Sequence, residues 1–364
     1  MTIQVDTSVV RGGGEACLQL ADDVGRALEY FDNHIDKAQS WAGGALIQWL
    51  LSEHSSYASR VDFGLVRSKA LLVASGGALD DVARRFDENE YDAQVSVRDL
   101  FGDLDPSVAT APIDGNTERQ GFALGSPSAA LAPPESSVAD PAFAVVWNII
   151  NWPDYISLSY WGRQLLNAVF QLVAPSLTGG QDLFEFLAQK LGGDWDKVAL
   201  AGSAFGHLGE FFDGLADTVD KLAVNVFAAW TSGESADRAG EYFAELAAAF
   251  AAQPEVYGDL ASKYSNAAWA AFGACQGLLS ALDAAVDAII VFLMGFASVG
   301  EALAALFSGG ATAVPAVVSA VIAVVEAFSS AWGAMMTTLS LTIAIGATLG
   351  SVTTTIEFVP LPEV

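Results

Sequence analysis

Few residues in this sequence have the types and the spacing that chemistry requires. Only three histidines and two cysteines occur among the 364 residues. His34 and His54 lie on opposite sides of a predicted helix break, and together with Glu53 they could bind a metal ion. We favour the other interpretation, in which both are polar-face histidines exposed to solvent. Asp283 and Asp287, one helical turn apart, could form a carboxylate pair with raised pKa values, but we favour a solvent-facing position for them.

Catalytic and cofactor-binding motifs are absent from the sequence. It contains no G-x-x-x-x-G-K-[ST], G-x-G-x-x-G, H-E-x-x-H or G-x-S-x-G. His207 is interpreted as a further polar-face residue. Cys17 and Cys275 form no C-x-x-C pair, so a disulfide is not indicated. We therefore predict no catalytic residue, no bound cofactor and no metal site, and a protein that is not an enzyme.

The charge balance restricts the class of partner. Sixteen basic and 43 acidic residues give a formal net charge of −27, while 52% of the residues are hydrophobic. Nucleic acids and anionic membrane surfaces are recognised by cations, so the charge argues against both. Residues 1–11 lack a basic segment followed by an apolar core, which predicts no Sec-type signal peptide. We expect the protein to stay in the cytosol or to leave the cell by another route.

An apolar seam with alternating steps of three and four residues predicts a long helix that ends near Trp230. The members of this seam are Val198, Ala201, Phe205, Leu208, Phe212, Leu215, Val219, Leu222 and Val226. A second seam follows a short break and extends to Tyr264, with a kink expected at Pro254. Thr231 and Glu234 have capping-box spacing for this second helix. A four-residue break between two seams favours antiparallel packing.

Residues 15–90 have the same organisation. One seam runs from Cys17 to Ala38, a break follows at 41–44, and another seam runs from Leu50 to Phe86. We interpret the two helix pairs as an internal duplication of form. The three glycines at 12–14 predict a flexible lead-in to the first helix.

The remaining chain divides by composition. Residues 92–141 are rich in Pro, Gly and Ser and predict a disordered or loosely packed linker. Residues 143–174 carry three tryptophans, which we interpret as core on short covering helices, with an aromatic ligand platform as the alternative. Residues 271–350 are apolar and rich in Ala and Gly, and predict a buried helical hairpin or, alternatively, membrane insertion. Residues 351–364 predict an extended tail.

These segments predict an all-α protein with five parts. Two long antiparallel helical hairpins, 1–91 and 142–270, are joined by the linker 92–141 and are followed by the apolar helical region 271–350 and the tail 351–364. A glycine at a helix end adopts backbone angles that other residues resist. A tryptophan at a hairpin tip either seals the end of a bundle or offers a contact site, and for Trp41 we favour sealing.

The order helix, Trp-x-Gly turn, helix resembles the W-x-G (ESAT-6-like) substrates of type VII (ESX) secretion in actinobacteria, as a longer, multi-domain member. The motif is Trp41-Ala42-Gly43, and the second turn, from Trp230 to Gly233, departs from it by one residue. The resemblance covers residues 15–90 and 194–270. It implies an export signal Tyr-x-x-x-Asp/Glu beyond the second helix. No tyrosine here has that spacing, but Phe86 and Glu90 do.

The resemblance implies a non-enzymatic substrate or effector that acts through helical-bundle interactions. Its expected partners are the secretion machinery or a second W-x-G protein, and self-association is also possible. The expected location is outside the cell or at its surface. Two alternatives stay open: a membrane-inserting or pore-forming effector that uses residues 270–350, and the delivery portion of a modular toxin that lacks its catalytic domain.

Overall fold

A computed structural model describes residues 5–37, 41, 44–101, 120–136, 164, 166–171, 179–191, 193–231 and 233–295, together with scattered positions between 301 and 333. Within these residues the regular structure is helical and no strand occurs, which confirms the all-α class. The α-helices are α1 (Thr7–His34), α2 (Ala45–Phe101), α3 (Leu183–Leu191), α4 (Trp195–Ala229), α5 (Glu234–Ala251) and α6 (Gln253–Met294), and a 3-10 helix spans Pro127–Ala130.

Helices α1 and α2 pack side by side and run antiparallel. Arg11, near the start of α1, forms an ion pair with Asp87, late in α2. Gly14 and Gly76 bring the two backbones so close that a Cβ built on Gly76 would lie 2.8 Å from the carbonyl oxygen of Gly14. The small residues thus allow the helices to touch where larger side chains would hold them apart.

The glycines at 12–14 are not a flexible lead-in. All three lie inside α1 and are buried. A Cβ on Gly12 would come 2.0 Å from the carbonyl oxygen of Gln120, and one on Gly13 would come 2.5 Å from a methyl of Val226. These glycines are therefore a contact surface, and packing outweighs their low helix propensity.

Helix α4 packs against both α5 and α6. The chain divides into two helices where a kink was expected: α5 ends at Ala251, and Pro254 lies in the first turn of α6, where its missing N–H is tolerated. The capping-box prediction is wrong, because Gly233 and not Thr231 is the N-cap of α5. Helix α6 packs closely against α4 at Tyr264 and Tyr257, because the α4 residues that face them, Gly202 and Gly209, carry no side chain.

Helices α1 and α2 form the first helix pair, and α4 with α5 and α6 forms the second. The two pairs pack on each other as one helical bundle. The N–H of Asp6 donates to the carbonyl oxygen of Ala229 at 3.1 Å, so the start of α1 meets the end of α4. On the other side, α2 faces α5 through Ser75 and the hydroxyl of Tyr242, whose oxygens are 3.0 Å apart. The break between α1 and α2 and the break between α4 and α5 consequently lie at opposite ends of the bundle.

The predicted seams form its core. Every seam residue from Val198 to Trp230 is buried, as are the seam residues of α5 and α6 up to Tyr264. In the first pair, Leu28 and Phe86 are partly buried and pack against the same core. Apolar spacing in the sequence thus located the buried faces of the four long helical arms.

Residues 120–136 lie along the groove between α1 and α4, where a loose linker was expected. The N–H of Gln120 donates to the carbonyl oxygen of Ser8 at 3.1 Å, and that of Glu135 to the hydroxyl of Ser203 at 3.2 Å. Between them, Pro127 is buried. The linker also begins later than expected, because α2 continues to Phe101. Residues 102–119 and 137–141 of the predicted linker lie outside the described residues.

The expectations for the remaining segments are met by the structure only in places. From 143–174 it describes residue 164 and the helical run 166–171, in which Leu166, Val169 and Phe170 are buried. Helix α3, which lies beyond 143–174, packs on α2 of the first pair. Helix α6 includes 271–294, while most of 296–350 and all of 351–364 lie outside the described residues. In the part of the chain that the structure describes, no helix has both the length and the apolar character needed to cross a membrane.

Candidate functional site

The turn at Trp230 forms one end of the bundle. Its side chain is 2% exposed, although it follows directly after the last residue of α4. The backbone N–H of Trp230 donates to the carbonyl oxygen of Val226 at 3.0 Å, and an isolated antiparallel bridge joins Trp230 to Val5. The segment before α1 and the segment after α4 thus meet at this tryptophan, and Phe86 of α2 also contacts it.

Gly233 sets the direction of the chain at this turn. Its φ of +118° lies in a backbone region that residues with a side chain rarely adopt. A Cβ at this position would meet nothing within 4 Å. The requirement for glycine is therefore conformational and not steric. Because Gly233 is the residue immediately before α5, it fixes how α5 leaves the turn.

Phe86 lies beside Trp230. The two ring centroids are 6.3 Å apart and the ring planes meet at 75°, an edge-to-face contact. Phe227 completes the group, with its ring centroid 5.9 Å from that of Trp230. The structure thus brings together two residues that the sequence singled out separately. Glu90 is one helical turn further along α2, and its side chain lies outside the described residues.

The opposite end of the bundle is built around Trp41. Its side chain is 6% exposed and its ring centroid lies 5.1 Å from that of His54. Nε2 of His54 is 3.0 Å from the carbonyl oxygen of Ile35, and Nδ1 is 2.6 Å from the hydroxyl of Tyr264. A carbonyl only accepts, so Nε2 carries the proton and Nδ1 accepts from the phenol. Gly43 lies outside the described residues.

Burial determines the protonation of this cluster. Removal of solvent lowers the pKa of the His54 imidazole to about 4, against smaller opposing effects of the Ile35 carbonyl and Asp36. Burial likewise raises the pKa of the Tyr264 phenol well above its usual value. At neutral pH both groups are uncharged, and the cluster is a satisfied polar contact between the two helix pairs.

One of the three expectations for the histidines needs correction. His54 is buried and hydrogen-bonded, because α6 supplies a phenol to a helix face that looked polar in the sequence. His34 is exposed as expected, and His207 is half-buried, with its Nδ1 2.7 Å from the hydroxyl of Tyr30. Within the described residues, no group of His, Cys, Asp or Glu could hold a metal ion. Asp287 is exposed as expected, and the side chains of Glu53 and Asp283 lie outside the described residues.

Sequence reasoning missed the tyrosines as polar partners. Tyr264 was assigned to an apolar seam, and Tyr30 and Tyr242 were not singled out. Each joins the two helix pairs through its hydroxyl, across 177 residues for Tyr30, 210 for Tyr264 and 167 for Tyr242. No local spacing signals such contacts. The available clue was that a tyrosine in a seam needs a partner for its hydroxyl when it is buried.

The side chains of Trp41 and Trp230 are therefore both buried. Each indole is packed under aromatic or histidine rings, which is the sealing arrangement favoured for Trp41.

Comparison of the chain with protein-family models, with curated proteins and with solved structures finds no match in any of the three.

Proposed function

We propose that this chain is a non-enzymatic substrate of a type VII (ESX) secretion system and acts through its helical bundle. The resemblance to W-x-G proteins motivates the proposal. Two features of the described residues support it: both tryptophans stand between long amphipathic helices, and both side chains are buried. In this proposal the chain consists of two W-x-G-type hairpins, a connecting segment within 92–141, and a C-terminal apolar helical region.

The observation that carries the proposal is the contact between Phe86 and Trp230. Phe86 belongs to the export-signal variant of the first pair, and Trp230 to the turn of the second pair. Their edge-to-face packing joins the two elements at one end of the bundle. We infer that this end is the surface that the secretion machinery recognises, with Glu90 on the following turn of α2.

The second helix pair would take the place of a separate partner protein. In the described residues, the buried apolar residues of both helix pairs belong to one core. A small W-x-G partner would have to displace one pair and expose its seam. At about 25 cal/mol per Å² of apolar surface, that exposure strongly disfavours exchange.

The experiment is a secretion assay in an actinobacterial host with an active ESX system. The chain is expressed in the parent strain and in a strain that lacks the ESX ATPase, and extracellular and cell-associated protein are quantified. A cytosolic protein controls for lysis. We expect extracellular protein in the parent and retention in the deletion strain. Equal extracellular amounts in both strains would refute the proposal.

A further inference from the structure

One face of α2 is apolar yet exposed. It carries the side chains of Phe63, Val66, Ala70 and Val73 and the open position Gly77, all exposed. The steps between them are three, four, three and four residues, so they form a second heptad seam on the side of α2 away from the core. Phe63 is 58% exposed and Val66 50%. We call this surface the outer seam of α2.

The outer seam has a knob at one end and a shallow hole at the other. Phe63 is the knob. The hole is the missing side chain at Gly77, where a Cβ would meet nothing within 4 Å. Leu18 of α1, which is 45% exposed, lies against the neighbouring Gly76. Knob and hole are 14 residues apart, about 21 Å along the helix at about 1.5 Å per residue. Ala70 lies midway between them.

This arrangement is complementary to itself. A two-fold axis through Ala70 would place Phe63 on Gly77 of a second copy, Val66 beside Val73, and Ala70 against Ala70 of the second copy. A large residue would meet a glycine at both ends, while small residues would meet at the centre. The seam thus satisfies the size matching that knobs-into-holes packing of two antiparallel helices requires.

Charges on one flank of the outer seam follow the same symmetry. Arg60 and Arg67, seven residues apart, flank the Phe63 end, and Asp81, 14 residues after Arg67, flanks the Gly77 end along the same edge of the helix. Antiparallel pairing about Ala70 would place Arg60 opposite Asp81 of the second copy. Asp81 pairs with the exposed Arg84 at 3.1 Å, and such surface pairs exchange readily.

We propose that the outer seam of α2 docks a second copy of this chain, so that the protein forms a two-fold symmetric dimer about Ala70. The outer seam spans about four helical turns, and Leu18 widens it at each end. This is a small interface, so the dimer is a reversible one. The inference does not depend on the proposed secretion of the chain.

The test compares the solution mass of three forms of the full chain. Sedimentation equilibrium is measured between about 1 and 200 µM, at about 150 mM salt so that repulsion between the acidic chains is screened. Gly77→Glu fills the hole with a charge at a position with open space, so the fold is not disturbed. Gly258→Glu is the matched control, because Gly258 is an exposed glycine in α6 with equally open surroundings.

We expect wild type and Gly258→Glu to dimerise with the same dissociation constant, and Gly77→Glu to raise that constant about tenfold or more. Ala70→Cys, in a Cys275→Ser background, should then form an intermolecular disulfide under mild oxidation. Cys17 does not compete, since burial raises the pKa of its thiol to about 12. A wild type that stays monomeric up to the highest concentration would overturn the proposal. So would a dimer unaffected by Gly77→Glu.

Discussion

The hydroxyl of Tyr264 lies 2.6 Å from Nδ1 of His54, although the two residues are 210 positions apart in the chain. This contact joins the second helix pair to the first at the end sealed by Trp41. Burial keeps His54 a neutral imidazole by lowering its pKa, and in this state Nε2 donates to the carbonyl oxygen of Ile35 and Nδ1 accepts from the phenol. The stability of the bundle is therefore coupled to the protonation of this histidine.

Acidification should weaken the bundle through His54. Its pKa is about 4 in the folded chain, against an ordinary value of 6.5, so between these values the unfolded chain binds the proton more strongly. The free energy of unfolding should fall by about 3 kcal/mol as the pH drops through this window. Denaturant unfolding of wild type and His54→Gln from pH 7 to pH 4 measures the effect. The variant should lose much of the slope, and equal slopes would contradict the prediction.

Two adjacent glycines of α2 should respond oppositely to the same substitution. A Cβ at position 76 would lie 2.8 Å from the carbonyl oxygen of Gly14, whereas one at position 77 meets nothing within 4 Å. Gly76→Ala should therefore lower the free energy of unfolding by about 1–3 kcal/mol through overpacking. Gly77→Ala should raise it by about 0.5–1 kcal/mol, because alanine favours the helix. A Gly76→Ala variant as stable in urea unfolding as Gly77→Ala would contradict the close approach of α1 and α2 at this position.

The glycines also show where sequence reasoning stops. The seams were predictable because helical spacing is local, and one period places every member on the same face. Three glycines at 12–14 carry no such information: they fit a flexible lead-in and a close helix contact equally well. Only the positions of Gln120, Val226 and Gly76 decide between the two, and these residues come from distant parts of the chain.

The same limit applies to the candidate site. Trp230 and Phe86 were identified by motif and spacing, but their contact depends on how the two helix pairs are oriented. The groove segment 120–136 was predicted as linker from its composition. Its packing depends on Asp23, a buried acid whose serine partners in the segment lie more than 100 residues away.

Asp23 should hold the groove segment in place. Its Oδ1 accepts from the hydroxyls of Ser128 at 2.5 Å and Ser126 at 3.3 Å, and it pairs with Arg26 at 2.6 Å. Asp23→Asn removes the charge that these donors share, with an expected loss of about 1–3 kcal/mol. Hydrogen exchange of residues 120–136 should accelerate in this variant and not in Asp22→Asn, which alters an exposed neighbour. Unchanged exchange would mean that Asp23 does not anchor the segment.

Phe86 should affect stability and export differently according to what replaces it. Phe86→Ala removes the ring that packs against Trp230, and we expect a loss of about 1–3 kcal/mol in the free energy of unfolding, less than for a fully buried ring. Phe86→Tyr retains the ring and completes the Tyr-x-x-x-Glu spacing with Glu90, so export should be retained or increased. Val224→Ala, at a side chain that is 65% exposed, is the control for both readouts. Export of Phe86→Ala at the wild-type level would exclude a role for this ring in export.

The central claim is that one chain supplies both helix pairs of an exported bundle. Its most direct test is the extracellular fraction of this chain in an ESX-proficient host from which the genes for small W-x-G proteins have been deleted. We predict that the chain is still exported, and that export stops when the ESX ATPase is also removed. Retention of the chain inside the cell until a small W-x-G protein is supplied again would contradict the claim.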